Sequence, residues 1–487
     1  GFSRYLTGVL VPVSALRSEQ SLGAGEFADL PALGAWCSRV GLDLIQLLPV
    51  NDTGWQASPY SALSAFALHP LYLRLTDLRE YSELQAEPRR IVDAMIDELR
   101  TLHHDAPRLR YGALVDGKRA ILRRIYEEIA DDESLRREAR QFVDDNPWAG
   151  EYAAYKMLKA RYDGAAWKDW PDLRDPTPER MGALWTDPEN ERELIFHLWV
   201  QLRLHDQFFA AAREVAKHGI VLKGDLPILI NEDSVETWAH REYFSMRLRA
   251  GAPPDAQSAL GQNWGLPVYD WAALERDGYS WWKRRLRHAA RYYSAYRIDH
   301  VLGFFRVWSI PADDLTGYLG HFLPVAAATR ERLNAAGLDN GRIRWLAEPH
   351  ISGTSLRDTL GEEADAVTRL ALGRIEGEDL YLFAQNIRGE RDIAALDCSD
   401  RAREWLLEQY RDRALVRLER DRFVPVWSHG NCSRYRDLPA EEQDRFRTLA
   451  DELARESEKL WEEQGRRLLG FMRETTDMLP CAEDLGA

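Results

Sequence analysis

Short apolar runs alternate with amphipathic segments along this chain. Each run is rich in leucine and β-branched residues and ends in polar residues; the five runs are 7–16, 41–52, 219–230, 292–305 and 478–486. Between the first two, residues 26–40 have apolar positions at helical spacing. An order of strand, helix and strand in which the strands are continuously apolar indicates parallel pairing and an α/β fold. Polar residues at the strand ends favour a barrel over an open sheet.

Two long segments dense in Glu, Arg, Ala and Leu interrupt this alternation, and their charge runs indicate solvated helix faces. We therefore predict the first barrel strands in 1–75 and a helical insertion subdomain in 76–200. Barrel strands three and four, with a substrate loop at 251–271, are predicted in 201–311. A helix-rich insertion is predicted in 312–474, and a fifth barrel strand, at which the chain ends, in 475–487.

Charge and cysteine content limit the partners of the protein. A net charge of −15, from 64 basic and 79 acidic residues, disfavours nucleic acid, which requires clustered positive charge. Four cysteines without a CxxC pair predict no zinc site and fit a reducing, cytoplasmic environment. No apolar run approaches the roughly 20 residues of a membrane helix, and no signal peptide is evident.

The motif "YRIDH" (296–300) is the first with a clear chemical interpretation. Because side chains alternate along a strand, Arg297 and Asp299 are expected on one face. A guanidinium beside a carboxylate keeps it ionised at neutral pH, as a nucleophile requires. A structural Arg–Asp pair at a strand end explains the same residues.

The motif "AEDLG" (482–486) is the second. Glu483 follows the apolar stretch "MLPCA", so partial burial would raise its pKa towards that of a general acid. A retaining glycosidase needs two carboxyl groups about 5 Å apart, one ionised and one protonated. Ordinary turn or helix-cap chemistry is the alternative explanation.

Three further segments place polar residues after predicted strands. Asp225 lies in "GDLPILINEDS", Tyr60 lies in "SPYSALSAF", and Asp255 and Trp264 lie in the Gly- and Pro-rich loop 251–271. A loop of this length is more often a lid or substrate clamp than a simple connector. Taken singly, each residue is explained by a structural role.

Together, these motifs resemble the 4-α-glucanotransferases, also called amylomaltases or disproportionating enzymes. The likeness includes "LTGVLVPVSALRSEQSLGAGEFADL", "SPYSALSAFALHPLYL", "GDLPILINEDSVETW", "GAPPDAQSALGQNWGLPVYDW" and "YRIDHVLGFFRVWSIP", in this order. The resemblance implies a (β/α)8 TIM barrel of the α-amylase superfamily, here with large helical insertions.

By this resemblance, Asp299 is the nucleophile that carries a covalent glucosyl intermediate, and Glu483 is the general acid/base. The "LAEP" at Glu348 lacks the Asp-Leu that follows the family's acid, so Glu348 is not expected to act. No metal or organic cofactor is implied, because proton transfer and one carboxylate nucleophile suffice. The substrate-binding residues implied are Arg297, His300, Tyr60, Asp255, Trp264, Asp225 and Asp484.

The implied function is a retaining 4-α-glucanotransferase that moves α-1,4-glucan segments between maltooligosaccharides, glucose, and glycogen or soluble heteroglycan. Two alternatives stay open at this point. One is an α-amylase-type hydrolase with the same two carboxylates, and the other is a non-catalytic scaffold that binds glucans without turning them over.

The chain departs from the short bacterial pattern because residues 312–481 separate the "IP" that follows "RIDH" from "AEDLG". Such an insertion is similar to the plant cytosolic disproportionating enzyme. The family's third carboxylate, in a His-Asp-Asn motif, does not occur in the 487 residues, and only five of eight barrel strands can be placed. We therefore expect the C-terminal part of the barrel to be missing, roughly 100–200 further residues in the natural polypeptide, and no transfer by this chain alone.

Overall fold

The computed structural model describes residues 5–419 and 421–484, so the last three residues of the predicted segment 475–487 lie outside the described residues. Numbered along the chain, the strands are β1 (Gly8–Val11), β2 (Leu44–Leu47), β3 (Val221–Leu226), β4 (Phe244–Ala252), β5 (Gln262–Tyr269), β6 (Ala295–Ile298), β7 (Val307–Pro311), β8 (His321–Leu323), β9 (Ala328–Thr329), β10 (Ile351–Ser352), β11 (Leu372–Arg374), β12 (Leu380–Phe383), β13 (Leu415–Glu419), β14 (Arg422–Pro425) and β15 (Leu479–Ala482).

Helices fill most of the chain between the strands. They are α1 (Leu30–Arg39), α2 (Arg79–Ser82), α3 (Ala86–His103), α4 (Tyr111–Ile129), α5 (Glu133–Asp145), α6 (Pro147–Arg161), α7 (Pro178–Thr186), α8 (Pro188–Lys217), α9 (Val235–Ala239), α10 (Trp271–Arg276), α11 (Ser280–Ala289), α12 (Arg330–Ala335), α13 (Asn340–Ala347), α14 (Gly353–Leu360), α15 (Ala364–Ala371), α16 (Glu390–Ala394), α17 (Asp400–Arg411), α18 (Ser433–Arg436) and α19 (Ala440–Thr475).

The first compact unit contains a five-stranded parallel sheet with the strand order β1-β2-β3-β6-β15. Each of the five predicted apolar runs supplies one of these strands, which confirms the α/β class. The inner strands are apolar on one face and carry polar residues, among them Gln46 and Arg297, on the other. Ile45 on β2, Leu222 on β3 and Ile298 on β6 are all buried.

Helix α8 forms much of the core of this unit. The sequence defines both its ends and its apolar face well. The Asp187 side chain accepts the Glu189 N–H at 3.0 Å at the N-terminus, and Gly219 adopts a positive φ of 74° just beyond the C-terminus. On the buried face, the ring of Phe208 stacks on Phe27 and on Tyr292 at centroid distances of 4.2 and 4.3 Å. This stack fixes the helix among its buried neighbours.

The structure divides the chain differently from the predicted ranges. The first unit takes in the described residues of 1–244, 270–301 and 471–487, and the second takes in those of 245–269 and 302–470. Residues 245–269 therefore belong with the predicted insertion rather than with the barrel strands. The physical reason is main-chain pairing, because β4 and β7 form antiparallel ladder hydrogen bonds in the sheet β5-β4-β7-β8.

The prediction of a long loop at 251–271 is wrong in extent. Strand β4 continues to Ala252 and β5 begins at Gln262, so the connection is only residues 253–261. Gly251 lies inside β4, where a Cβ would approach the Gln262 carbonyl oxygen to 1.9 Å. This glycine marks two strands in close contact and not a loop.

The second unit, described by itself, combines small antiparallel sheets with helices. One core is built from α14, α15 and α17 and includes Leu356, Val367 and Leu406. Another includes Leu333 and Leu346, which come from α12 and α13. Within the described residues, none of the helices combines the length and apolarity needed to cross a membrane.

Candidate active site

Strand register brings the first two site residues together. In the parallel pairing of β3 with β6, Asp225 lies opposite Arg297, and in the pairing of β6 with β15, Cys481 lies opposite Arg297. The Arg297 Nη1 donates to both carboxylate oxygens of Asp225 at 2.9 Å. Neighbouring strands thus place a cation and a buried anion side by side.

The same guanidinium also lies close to the two carboxylates predicted from the motifs. Its Nη1 is 2.8 Å from Asp299 Oδ1 and its Nη2 is 3.9 Å from Glu483 Oε2. The side chain of Asp225 is fully buried, whereas those of Glu483 and Asp299 are 14% and 30% exposed. Three carboxylates therefore surround one guanidinium, and the two more accessible ones follow β6 and β15.

Tyr60 completes the buried side of this cluster. Its hydroxyl donates to Asp225 Oδ2 at 2.9 Å and lies 3.5 Å from Arg297 Nη1. The residue before Asp225 is Gly224, where a Cβ would meet the ring of Tyr293 at 2.5 Å. Because only glycine allows this close approach, the ring packs against the strand at the level of the site.

His300 holds Glu483 through its backbone. Its φ of 53° is in the left-handed region, which histidine adopts more readily than most residues. In this conformation its N–H donates to Glu483 Oε2 at 2.8 Å. The Glu483 main chain is also fixed, because its N–H donates to the Ile298 carbonyl and its carbonyl accepts the Val301 N–H, both at 3.0 Å.

Burial dominates the electrostatics of the cluster. It raises the pKa of Asp299 above the usual value, more than the guanidinium of Arg297 lowers it, and the charge of Glu483 raises it further. The expected lowering of this pKa by Arg297 is therefore present, but burial and the Glu483 charge outweigh it. Burial likewise raises the pKa of Asp225. Burial and the Asp225 charge raise the pKa of the Tyr60 hydroxyl, which stays a donor.

The imidazole of His300 differs from these groups because burial stabilises its neutral form. Burial lowers the pKa of His300, against the opposing effect of the Asp299 and Glu483 charges. At neutral pH the ring is therefore uncharged and has one N–H donor and one acceptor nitrogen. Such a ring can hydrogen-bond a neutral hydroxyl without adding charge to the site.

The remaining candidate residues lie on several elements. Asp255 and Trp264 belong to the second unit, where the Asp255 carboxylate accepts the N–H groups two and three residues further along the chain at 2.8 and 2.6 Å. Asp484 follows β15 and is exposed. Glu348 lies at the end of α13, and its carboxylate pairs with Arg344 at 3.0 Å.

The pairing of Arg297 with Asp225 was not predicted. A signal for it exists, because each residue lies one position before the last residue of its strand, Ile298 in β6 and Leu226 in β3. Equal distance from the carboxyl ends of adjacent parallel strands favours side-by-side placement. Within residues 5–419 and 421–484, no group of three or more His, Cys, Asp or Glu side chains could hold a metal ion. Independence from metals and cofactors stays a prediction.

Comparison with known proteins identifies the family of this chain. Residues 11–487 match the family model described as 4-alpha-glucanotransferase. The chain belongs to this family. It is 34% identical to the 4-alpha-glucanotransferase DPE2 of Oryza sativa subsp. japonica over 501 residues, which covers 98% of this chain and 52% of that relative.

Further relatives support the family and the fold. The 4-alpha-glucanotransferase of Chlamydia pneumoniae is 35% identical over 312 residues, covering 62% of this chain and 56% of the relative. The chain thus spans about half the length of these curated relatives. A solved amylomaltase from Streptococcus agalactiae, in complex with acarbose, has a TM-score of 0.56 and 24% identity, with 66% of this chain and 64% of that chain covered. This last likeness supports the fold alone.

Proposed function

We propose that this chain is the part of a retaining 4-α-glucanotransferase that carries the nucleophile and the general acid/base. The carboxylates of Asp299 and Glu483, both in contact with the Arg297 guanidinium at the ends of adjacent parallel strands, are the observation that supports it most directly. Retaining glycoside chemistry needs two such groups. We also propose that the five-stranded sheet is part of a (β/α)8 barrel.

In the proposed reaction, Glu483 protonates the oxygen that leaves as an α-1,4 bond of a maltooligosaccharide breaks. The Asp299 carboxylate attacks the anomeric carbon and holds the donor segment as a covalent ester. Glu483, now ionised, then takes the proton from a 4-hydroxyl of the acceptor, which displaces Asp299. Its hydrogen bond from the His300 N–H, at 2.8 Å, fixes the carboxylate for both steps.

The other residues of the cluster are proposed to position these two groups. Arg297 stabilises the ionised form of Asp299, and the fully buried Asp225 together with Tyr60 holds the guanidinium in place. His300, in its neutral form, would hydrogen-bond a sugar hydroxyl. Binding of substrate by Asp255, Trp264 and Asp484 stays a prediction, as do glycogen, soluble heteroglycan and a cytoplasmic location.

The substitution Asp299→Asn in the full natural polypeptide tests this proposal. The change preserves shape but removes the nucleophile, so transfer from maltotriose should fall by several orders of magnitude while the fold is retained. Asp97→Asn is the matched control, because this α3 carboxylate is 72% exposed and pairs, among the residues that the structure describes, only with Arg100 on the same helix. Near-normal transfer by Asp299→Asn would exclude the proposed mechanism.

Product analysis separates transferase from hydrolase. A transferase converts maltotriose into a ladder of longer and shorter glucans, whereas a hydrolase produces only shorter sugars. A scaffold binds maltotriose and leaves it unchanged. Mass spectrometry of the Asp299-containing peptide after incubation should also detect a covalently attached glucosyl group if the intermediate forms.

A further inference from the structure

A group of aromatic side chains in the second unit has no role in the cluster described above. It consists of Trp308, Phe322, Trp427 and Trp461 together with Arg306, and we call it the Trp427 platform. Trp427 is 53% exposed, so its ring is accessible to a ligand. Its ring centroid is 5.8 Å from Trp308 and 5.7 Å from Phe322, with interplanar angles near 80°.

The residues beneath Trp427 are held rigidly. Trp308 is 2% exposed and donates its indole N–H to the Gly317 carbonyl at 3.0 Å. Trp461, on α19, donates its indole N–H to the Pro324 carbonyl at 2.7 Å. Phe322 lies edge-to-face with both indoles, at centroid distances of 4.9 and 5.4 Å. The exposed ring is therefore held in place by neighbours that are already ordered. This lowers the entropic cost of ordering the ring when a ligand binds.

Arg306 supplies hydrogen-bond donors at Phe322 and Trp461, and Phe322 is also a neighbour of the Trp427 ring. Its guanidinium carbon lies 4.7 Å from the Phe322 centroid and 4.8 Å from the Trp461 centroid, so it stacks on both rings. Among the described residues it has no carboxylate partner and no side-chain hydrogen bond. The N–H groups at its edge thus point to solvent or to a ligand, since a stacked guanidinium still offers its in-plane donors.

We propose that the Trp427 platform is a second, non-catalytic binding site for a linear α-1,4-glucan segment. The inference rests on the proposed function, which makes glucans the ligands of this chain. The C–H face of a glucose ring is apolar and packs on an indole, while its hydroxyls accept hydrogen bonds from a guanidinium. The exposed Trp427 ring and the Arg306 donors, which pack on the same Phe322 ring, together meet both requirements.

Charge argues against the main alternative ligand for an aromatic–arginine surface, which is single-stranded nucleic acid. Such binders combine stacking rings with a positively charged groove that follows the phosphates. The platform contributes a single arginine, and the whole chain has a net charge of −15. A neutral polyhydroxylated polymer is not repelled by that charge.

The test compares Trp427→Ala with Trp36→Ala in the full natural polypeptide carrying Asp299→Asn, which prevents turnover. Trp36 is a matched control, because it is 45% exposed and lies on α1 of the other unit. Binding of maltoheptaose is measured by titration calorimetry. Trp427→Ala should raise the Kd of one binding event about tenfold, as expected for the loss of one aromatic contact. Trp36→Ala should leave that Kd unchanged. Arg306→Met should weaken the same event.

Activity measurements with Asp299 intact distinguish this inference from the proposed function. Trp427→Ala should leave transfer from maltotriose unchanged and reduce transfer with glycogen. Maltoheptaose binding that is identical in the Trp427→Ala and Trp36→Ala variants would overturn the inference even if Asp299 proves essential for transfer. Binding that depends on Trp427 would support it even if no transfer occurs. A change of oligomeric state with unchanged glucan binding, measured by light scattering, would show instead that the platform is a protein interface.

Discussion

Replacing Arg297 with methionine should weaken both the fold and the reaction, because it removes the guanidinium that contacts all three site carboxylates. Asp225 is fully buried, and removing the partner of a buried ion costs about 3–5 kcal/mol. Its hydrogen bond from Tyr60 and its ability to take up a proton favour the lower end of that range. A loss of about 3 kcal/mol corresponds to a fall in Tm of roughly 5 °C for a unit of this size.

The pH dependence of the same variant follows from the sign of the Arg297 effect. Arg297 lowers the pKa of Asp299, whereas burial and Glu483 raise it. Without the guanidinium, the pKa of Asp299 rises further, and a nucleophile must be ionised to react. Activity is lost as the pH falls through this pKa, so the acid limb of kcat/KM should move to higher pH in Arg297→Met. Arg297→Lys, which keeps the charge, should move it less.

The assay is transfer from maltotriose over the acidic and neutral range, with thermal unfolding recorded in parallel. Arg330→Met is the matched control, because its ion pair with Asp421, at 3.0 Å, joins side chains that are 30% and 52% exposed. Losing such a pair costs less than about 1 kcal/mol and should not shift the acid limb. An Arg297→Met variant with the wild-type acid limb would refute the assigned electrostatic role.

Further predictions concern the acid/base, a buried loop carboxylate and a strand glycine. Glu483→Gln should reduce kcat/KM for transfer severely and Glu348→Gln only mildly; the reverse order would show that the acid has been assigned wrongly. Asp52→Ala should destabilise the protein by about 3–5 kcal/mol in urea unfolding, since its carboxylate is 1% exposed and accepts from a lysine at 2.9 Å. Burial raises the pKa of Asp52, but that lysine and neighbouring donors lower it more, so the pKa is lower in the folded state than in the unfolded state. The stabilisation by the Asp52 carboxylate is therefore present above its unfolded-state pKa and is lost as the pH falls through its folded-state pKa. An Asp52→Ala midpoint equal to wild type would contradict the buried pairing. Gly224→Ala should cost about 1–3 kcal/mol because its Cβ would meet the Tyr293 ring at 2.5 Å, and unchanged stability would mean that the ring moves freely.

Features of the fold and site that depend on local sequence were predictable. The five apolar runs became the five parallel strands of the first unit. The contact of Arg297 with Asp299 followed from side-chain alternation alone. Features that depend on pairing between distant segments were not predicted. The glycines of 251–271 predict turns, whereas Gly251 lies in β4, which pairs with the distant β7.

The ionisation of Asp299 shows why pairwise reasoning from a motif is insufficient. "YRIDH" contains a cation two residues before the carboxylate, and that pair by itself predicts a lowered pKa. Register adds Asp225, which lies 2.9 Å from the same guanidinium and is more deeply buried than Asp299. The charge of Arg297 is therefore shared between two carboxylates while both lose hydration. A carboxylate in this position is more basic than an isolated Arg–Asp pair would make it, and that property arises from three strands together rather than from any one motif.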